Sequence, residues 1–196
     1  MTVIGITGPT GAGKTTALRV LESLGVKLLD CDAVYHRLLE TSGELRAALE
    51  GRFGPLFGPE GLDRKTLGSR VWGDPQALAD LNAITHRFIR EKLVEEIEEA
   101  RREQLTGVAI DGVAIIEAGV GPLCDTTVTI TAPAEVRAER IMAREGISRD
   151  YAMARIKAQK SDEWFMANTE HTLVNDSTEE AFRRKALELF RTLLRA

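Results

Sequence analysis

A chain of 196 residues with 26 lysines and arginines against 30 aspartates and glutamates, net charge −4, is long enough for one packed domain and too short for two full catalytic ones. That balance offers nucleic acid no general attraction, so a polyanionic ligand must be held by cations placed locally. No apolar run approaches the roughly 20 residues that cross a bilayer, the amino terminus enters an apolar strand without a basic leader, and Cys31 and Cys124 lack metal-ligand spacing. The expectation is a cytoplasmic protein, monomeric or weakly homo-oligomeric, with free thiols and with neither membrane nor nucleic-acid partners.

In chain order, the first strand is expected over 2 to 7 and runs straight into Gly8-Pro9-Thr10-Gly11-Ala12-Gly13-Lys14-Thr15-Thr16. A helix follows over 16 to 24, with Ala17, Leu18, Leu21 and Leu24 on one stripe and Gly25 as its stop. A second strand over 26 to 30 ends in Asp30-Cys31-Asp32, ahead of a helix over 33 to 40. Glycines and prolines interrupt 51 to 61 so often that a loop is expected there. From Asp74 to Gln104 the pattern is helical, as one helix or two, opened by Asp74 as cap and Pro75 at the first position. Strands over 107 to 112, 126 to 131 and 172 to 175 alternate with further helices, one opened by Pro133 and running through Arg144. The last helix is expected from Ser177, with Glu180 completing a capping box. Strands separated by helices imply an α/β fold in which a parallel five-stranded sheet is flanked by helices, with ligands at the strands' carboxyl ends.

The chemistry concentrates at those ends. A Gly-x-x-x-x-Gly-Lys-Thr spacing between strand and helix is a phosphate-binding P-loop, in which backbone N–H groups meet phosphate oxygens and the helix adds its positive end. Lys14 then reaches the terminal phosphates and the Thr15 hydroxyl enters the shell of a phosphate-bound Mg²⁺. Asp32 is the candidate general base for an attacking hydroxyl, or else the cap of the helix it precedes. Asp111, closing the apolar strand Gly107-Val-Ala-Ile110, is placed to hold Mg²⁺ through water, and Glu117 adds a carboxylate near the same rim. Arg137, Arg140 and Arg144 share one helix face, either as a lid that closes over phosphate, with Arg140 leading, or as a solvated face paired with Glu135, Glu139 and Glu145. Metal-ligand and Ser/His/Asp arrangements are lacking, and so is the Asn-Lys-x-Asp signature of a guanine-nucleotide switch.

With these pieces in place, the chain resembles the dephospho-coenzyme A kinases over nearly its whole length. The likeness rests on the P-loop, Asp30-Cys-Asp32-Ala, Gly61-Leu-Asp-Arg64, Leu81-Asn-Ala-Ile-Thr-His86, Asp111 through Glu117, Arg140 with Arg144, Gln159, and Leu173-Val-Asn175. The resemblance implies transfer of the γ-phosphate of ATP, with Mg²⁺, to the 3′-hydroxyl of dephospho-coenzyme A, the last step of coenzyme A synthesis. It makes Asp32 the proton acceptor, gives ATP to residues 8–16 with Arg140, Arg144 and Asn175, the last at the adenine, and sets Arg64, His86 and Glu117, with Asp32 and Asp111, toward the acceptor. It further implies one kinase domain over 1 to 196, with a helical coenzyme A subdomain at about 54 to 104 and a lid at about 137 to 168. Where the family commonly reads His-Pro and Pro-Leu-Leu-Phe-Glu, this chain has His86-Arg87 and Val113-Ala-Ile-Ile-Glu117. The alternatives are a related nucleoside or nucleotide kinase and, in another class, a nucleotide-dependent switch.

Overall fold

The computed structural model describes residues 1–195. Strand β1 (Thr2–Thr7), helix α1 (Lys14–Ser23) and strand β2 (Val26–Asp30) open the chain. Helices α2 (Cys31–Thr41) and α3 (Gly43–Phe53) lead to a short hairpin, β3 (Phe57–Gly58) with β4 (Gly61–Leu62), then α4 (Arg64–Val71) and the long α5 (Pro75–Arg102). Strands β5 (Gly107–Asp111) and β6 (Thr126–Thr131), helices α6 (Ala134–Glu145), α7 (Arg149–Lys157) and α8 (Asp162–Ala167), strand β7 (His171–Val174) and helix α9 (Glu179–Leu193) complete it.

The sheet has five strands in the order β2-β5-β1-β6-β7. β1 runs parallel to β5, with Ile6 opposite Asp111, and parallel to β6, with Ile6 opposite Val128. β1 is therefore central, and the chain leaves it toward one edge and later returns to its other side, the crossover at which ligands bind beyond the strands' carboxyl ends. Val3, Ile4 and Ile6 of β1 and Val108, Ala109 and Ile110 of β5 are fully buried, as expected of parallel strands covered on both faces. One face packs Ala17, Val20 and Leu21 of α1 with Phe182, Ala186 and Phe190 of α9 in a single core.

The chain divides into two compact units, one made of Met1–Leu29 with the chain from Ile97 onward, the other of Asp30–Glu96. The second has its own core of Leu39, Leu45, Leu49, Phe53, Leu56, Leu67, Ala77 and Phe88.

Four local expectations are corrected. The stretch 51 to 61 is not a plain loop: α3 extends to Phe53 because Leu45, Leu49 and Phe53 form one buried stripe, and Gly54, at φ 72°, ends it. Phe57 and Leu62 then pair across a tight turn at Pro59-Glu60, so the glycines and prolines there punctuate a hairpin. The final helix is capped by Thr178, which accepts from Ala181 N–H, rather than by Ser177 with Glu180. Helix α2 is capped by Asp30, whose Oδ1 accepts from Asp32 and Ala33 N–H at 2.8 and 3.2 Å, so Asp32 lies inside the first turn and is not the cap. The last strand ends at Val174, leaving Asn175 just beyond it, bonded to Thr131 through its own N–H. From Gln76 to Arg102 there is neither glycine nor proline, and α5 is accordingly one unbroken helix, opened by Asp74, whose carboxylate takes the N–H groups of Gln76 and Ala77.

Candidate active site

The turn from β1 to α1 is built around three glycines with positive φ, Gly8 at 136°, Gly11 at 81° and Gly13 at 103°. Packing as well as torsion excludes larger residues. A Cβ at Gly8 would lie 2.2 Å from the Ile130 carbonyl oxygen, one at Gly11 2.9 Å from that of Arg137, and one at Gly13 2.2 Å from Asn175 Nδ2. The loop is thus pressed against β6, α6 and the residue after β7.

Side chains from α6, from the segment after α7 and from the residue after β7 hold its peptide groups. Arg137 Nε donates to Thr10 O at 3.0 Å, Gln159 Oε1 accepts from Thr10 N–H at 3.1 Å, and Gln159 Nε2 donates to Thr10 Oγ1 at 3.0 Å. Arg137 is 3% exposed, and its remaining donors go to Asp162 Oδ1 at 3.0 Å and Gln159 Oε1 at 3.3 Å. Burial pulls the Arg137 pKa down, and Asp162 opposes that shift; burial also pushes the Asp162 carboxyl above the usual carboxylate range, opposed by Arg137. Arg140 Nη1 donates to the carbonyls of Gly11 and Ala12 at 3.2 and 3.3 Å, and its Nη2 to Asn175 Oδ1 at 3.3 Å. Asn175, 4% exposed, completes the brace by donating from Nδ2 to Ala12 O at 2.9 Å. The carboxamide assigned by resemblance to the adenine is therefore engaged inside the loop.

Among the described residues, α1 is the α-helix with neither a capping side chain nor an acidic residue in its first turn, and its N-cap is Gly13. α2, α3, α4, α7, α8 and α9 have side-chain caps, α5 has Asp74, and α6 has Glu135. An uncompensated helix N-terminus is an attraction for an anion. It opens on a cavity of about 260 Å³ lined by Pro9, Thr10, Gly11, Gly13, Lys14 and Thr15 and by Arg140, Arg144 and Arg155. Lys14 Nζ folds back to Gly8 O at 3.3 Å. Four cationic side chains thus meet the positive end of one helix, the local concentration that a net-acidic chain needs in order to hold a polyphosphate.

Asp111 ends β5 one strand away from this turn, with Oδ1 out of contact with solvent, and Gly112 N–H donates to Ile6 O at 3.2 Å. Glu117 lines a separate cavity of about 360 Å³ with Val113, Ala114, Gln159, Lys160 and Phe165. The other expected residues belong to the second unit. Asp32 is exposed in the first turn of α2, Arg64 begins α4 and its Nη2 lies 3.0 Å from His36 Nδ1, and His86 is half-buried on α5. Burial pushes the Cys124 thiol up to about 12, which keeps it out of thiolate chemistry at neutral pH.

Arg155 is the cavity-lining residue that sequence reasoning did not place at the site, and Arg137, expected on the lid face, instead braces the loop. Arg137 is an ordinary helix arginine until its partner is seen 127 positions away, and Arg155 has no local motif to mark it. Of the expected arginine face, Arg140 and Arg144 line the phosphate cavity, Arg144 also pairs with Glu145, and Arg137 turns inward to the loop, while Glu135 pairs with Arg149 of α7.

The sequence profile described as dephospho-CoA kinase matches residues 2–180. The Dehalococcoides mccartyi dephospho-CoA kinase is 40% identical over 164 residues, covering 83% of this chain and 82% of its own. A solved Thermus thermophilus protein superposes with a TM-score of 0.78 at 32% identity, covering 98% of this chain and 97% of its own. The Campylobacter jejuni dephospho-CoA kinase has the same fold, with a TM-score of 0.62 at 24% identity over 100% of this chain and 98% of its own. With a nucleotide-binding P-loop at the centre of its sheet and these relatives along nearly its full length, the chain belongs to the dephospho-CoA kinase family, which catalyses the last step of coenzyme A biosynthesis.

Proposed function

We propose that this chain transfers the γ-phosphate of ATP to the 3′-hydroxyl of the ribose of dephospho-coenzyme A. The observation that carries the phosphate-handling half is the bare N-terminus of α1 opening on a cavity with Lys14, Arg140, Arg144 and Arg155. Thr10, Ala12 and Thr16 have their N–H groups engaged within the protein, so the amides for the phosphates come from the other cavity-lining residues, Gly11, Gly13, Lys14 and Thr15. Arg140 and Asn175 act on the nucleotide by holding the carbonyls of the loop turned back, with Arg140 also lining the cavity. Phosphoryl transfer needs positioning and charge stabilisation above all, and both are what this set of groups supplies.

Thr15 and Asp111 offer oxygen donors that suit Mg²⁺, which binds one or two protein oxygens and substrate phosphates in preference to an all-protein cage. Among the described residues no group of three or more His, Cys, Asp or Glu side chains could hold a metal, which fits an ion carried in by the nucleotide. When bound, Mg²⁺ would neutralise charge on the phosphates. Asp32 is the base for the 3′-hydroxyl, Arg64, His86 and Glu117 face the acceptor, the chain from about 137 to 168 forms the lid, and the helical stretch from about 54 to 104 serves the acceptor side. The cytoplasmic setting read from the sequence belongs to the same proposal.

A coupled assay with ATP and equal concentrations of dephospho-coenzyme A, AMP and adenosine tests the assignment. Turnover is expected with dephospho-coenzyme A at least about a hundredfold above the others, the scale on which a site that hydrogen-bonds its substrate excludes partial mimics. Faster turnover of AMP or adenosine would overturn it in favour of a nucleotide or nucleoside kinase.

A further inference from the structure

Two of the arginines lining the phosphate cavity share one carboxylate. Arg144 Nη2 donates to Glu145 Oε1 at 2.6 Å, and Arg155 Nη1 donates to Glu145 Oε2. Arg144 and Glu145 end α6 while Arg155 reaches over from α7, so one side chain ties the two helices on the far side of Gly146, which turns the chain at φ 67°. Ala138, Ile141, Ala152 and Ile156 pack the helices together and fix the backbone from which both arginines project. Packing does not fix the ends of the arginine side chains, exposed for Arg144 and half-buried for Arg155, which keep several rotamers each unless something holds them. Glu145 holds them with one oxygen apiece and leaves each guanidinium further donors. Glu145 itself is not among the residues lining the cavity, so its negative charge does not face the phosphates directly. Two positive charges offset by one negative charge leave a surplus of one, added to those of Lys14 and Arg140.

We infer that Arg155 is a further phosphate-binding residue of this kinase and that Glu145 is the positioning residue that presents Arg144 and Arg155 as a pair to the terminal phosphates of the nucleotide. The inference rests on the reading that ATP occupies the P-loop cavity. It separates stability from function: exposed ion pairs contribute little to folding, whereas guanidiniums held ready for phosphate contribute to binding and to the charge that develops on transfer.

The test is steady-state kinetics with ATP varied at saturating dephospho-coenzyme A, and the reverse, on the wild type, R155Q, R155K and E145Q, with thermal melts of each. All variants are expected to melt close to the wild type. R155Q should raise the ATP KM about tenfold and lower kcat by a similar factor, as loss of a charge-assisted phosphate contact does. R155K should recover part of that loss, and E145Q should raise the ATP KM several-fold while leaving the KM for dephospho-coenzyme A unchanged. An ATP KM and kcat in R155Q equal to the wild type would overturn the role of Arg155, and the same result in R155K decides the point should R155Q melt early. Tighter ATP binding in E145Q would overturn positioning, since Glu145 would then compete with phosphate for its arginines. A wild type that transfers phosphate from ATP while R155Q is unaffected removes only this inference; a wild type with no ATP-dependent transfer removes the ATP reading and the inference with it.

Discussion

At Gly13 an added methyl group would stand 2.2 Å from Asn175 Nδ2 on a backbone at φ 103°, so G13A meets a steric and a torsional penalty at once. Asn175 cannot retreat without giving up Ala12 O and Arg140, the bonds that hold the loop. G13A is expected to destabilise the fold by about 1–3 kcal/mol, the range for a residue forced into a sparsely populated conformation, and to lower ATP affinity by more than its melting shift explains; a calorimetric melt with and without nucleotide checks both. Asp32 and Asp30, two positions apart, divide their work differently. Asp30 spends its carboxylate on the first N–H groups of α2, whereas the Asp32 side chain is exposed. D32N, which keeps the shape and removes the proton acceptor, should lower kcat by about 10² to 10⁴, the usual worth of a general base, with the ATP KM within about twofold of the wild type. Unchanged turnover in the coupled assay would remove Asp32 from the chemistry.

Elements differ in how much of them the sequence discloses. The strand ranges 2 to 7, 26 to 30 and 126 to 131 coincide with β1, β2 and β6, because strands buried in a parallel sheet are apolar and β-branched runs bounded by turn residues. The P-loop is legible for the same reason, since its residues are neighbours in sequence. Its brace is not: Arg137, Gln159 and Asn175 meet the loop across 127, 149 and 163 positions, and neither the arginine face nor the motif positions discloses that these side chains bind the loop's peptide groups. The β3–β4 hairpin depends likewise on Glu50 of α3, whose Oε1 accepts from Leu56 and Phe57 N–H at 3.0 and 3.1 Å and so shapes the entry to the hairpin. Those two bonds hold the Glu50 carboxyl below its ordinary 4.5. Because the folded pKa is the lower one, the stabilisation is present above pH 4.5 and is lost as pH falls through the folded value. An NMR titration should show the Leu56 and Phe57 amide shifts moving together with a midpoint below 4.5, and E50Q should flatten both curves. A midpoint at or above the ordinary value would disconnect the carboxylate from the hairpin.

For the molecule as a whole, two compact units with separate cores imply that two substrates can leave separate marks on the same chain. A ligand that binds the native state lowers the population of every opening that would release it, by up to about 2.7 kcal/mol, or a hundredfold slower exchange, when its concentration is about a hundred times Kd. A non-hydrolysable ATP analogue should therefore slow hydrogen exchange in β1, α1 and the α6–α7 pair, where the loop and its arginines lie. Dephospho-coenzyme A added alone should slow exchange within Asp30–Glu96, where Asp32, Arg64 and His86 reside. Amides of α9, packed on the sheet through Phe182 and Phe190 and carrying none of the ligand groups, report global opening and calibrate the rest. Protection by dephospho-coenzyme A confined to the first unit would show that the second unit does not receive the acceptor, and would move Arg64 and His86 out of the site while leaving the P-loop half of the proposal in place.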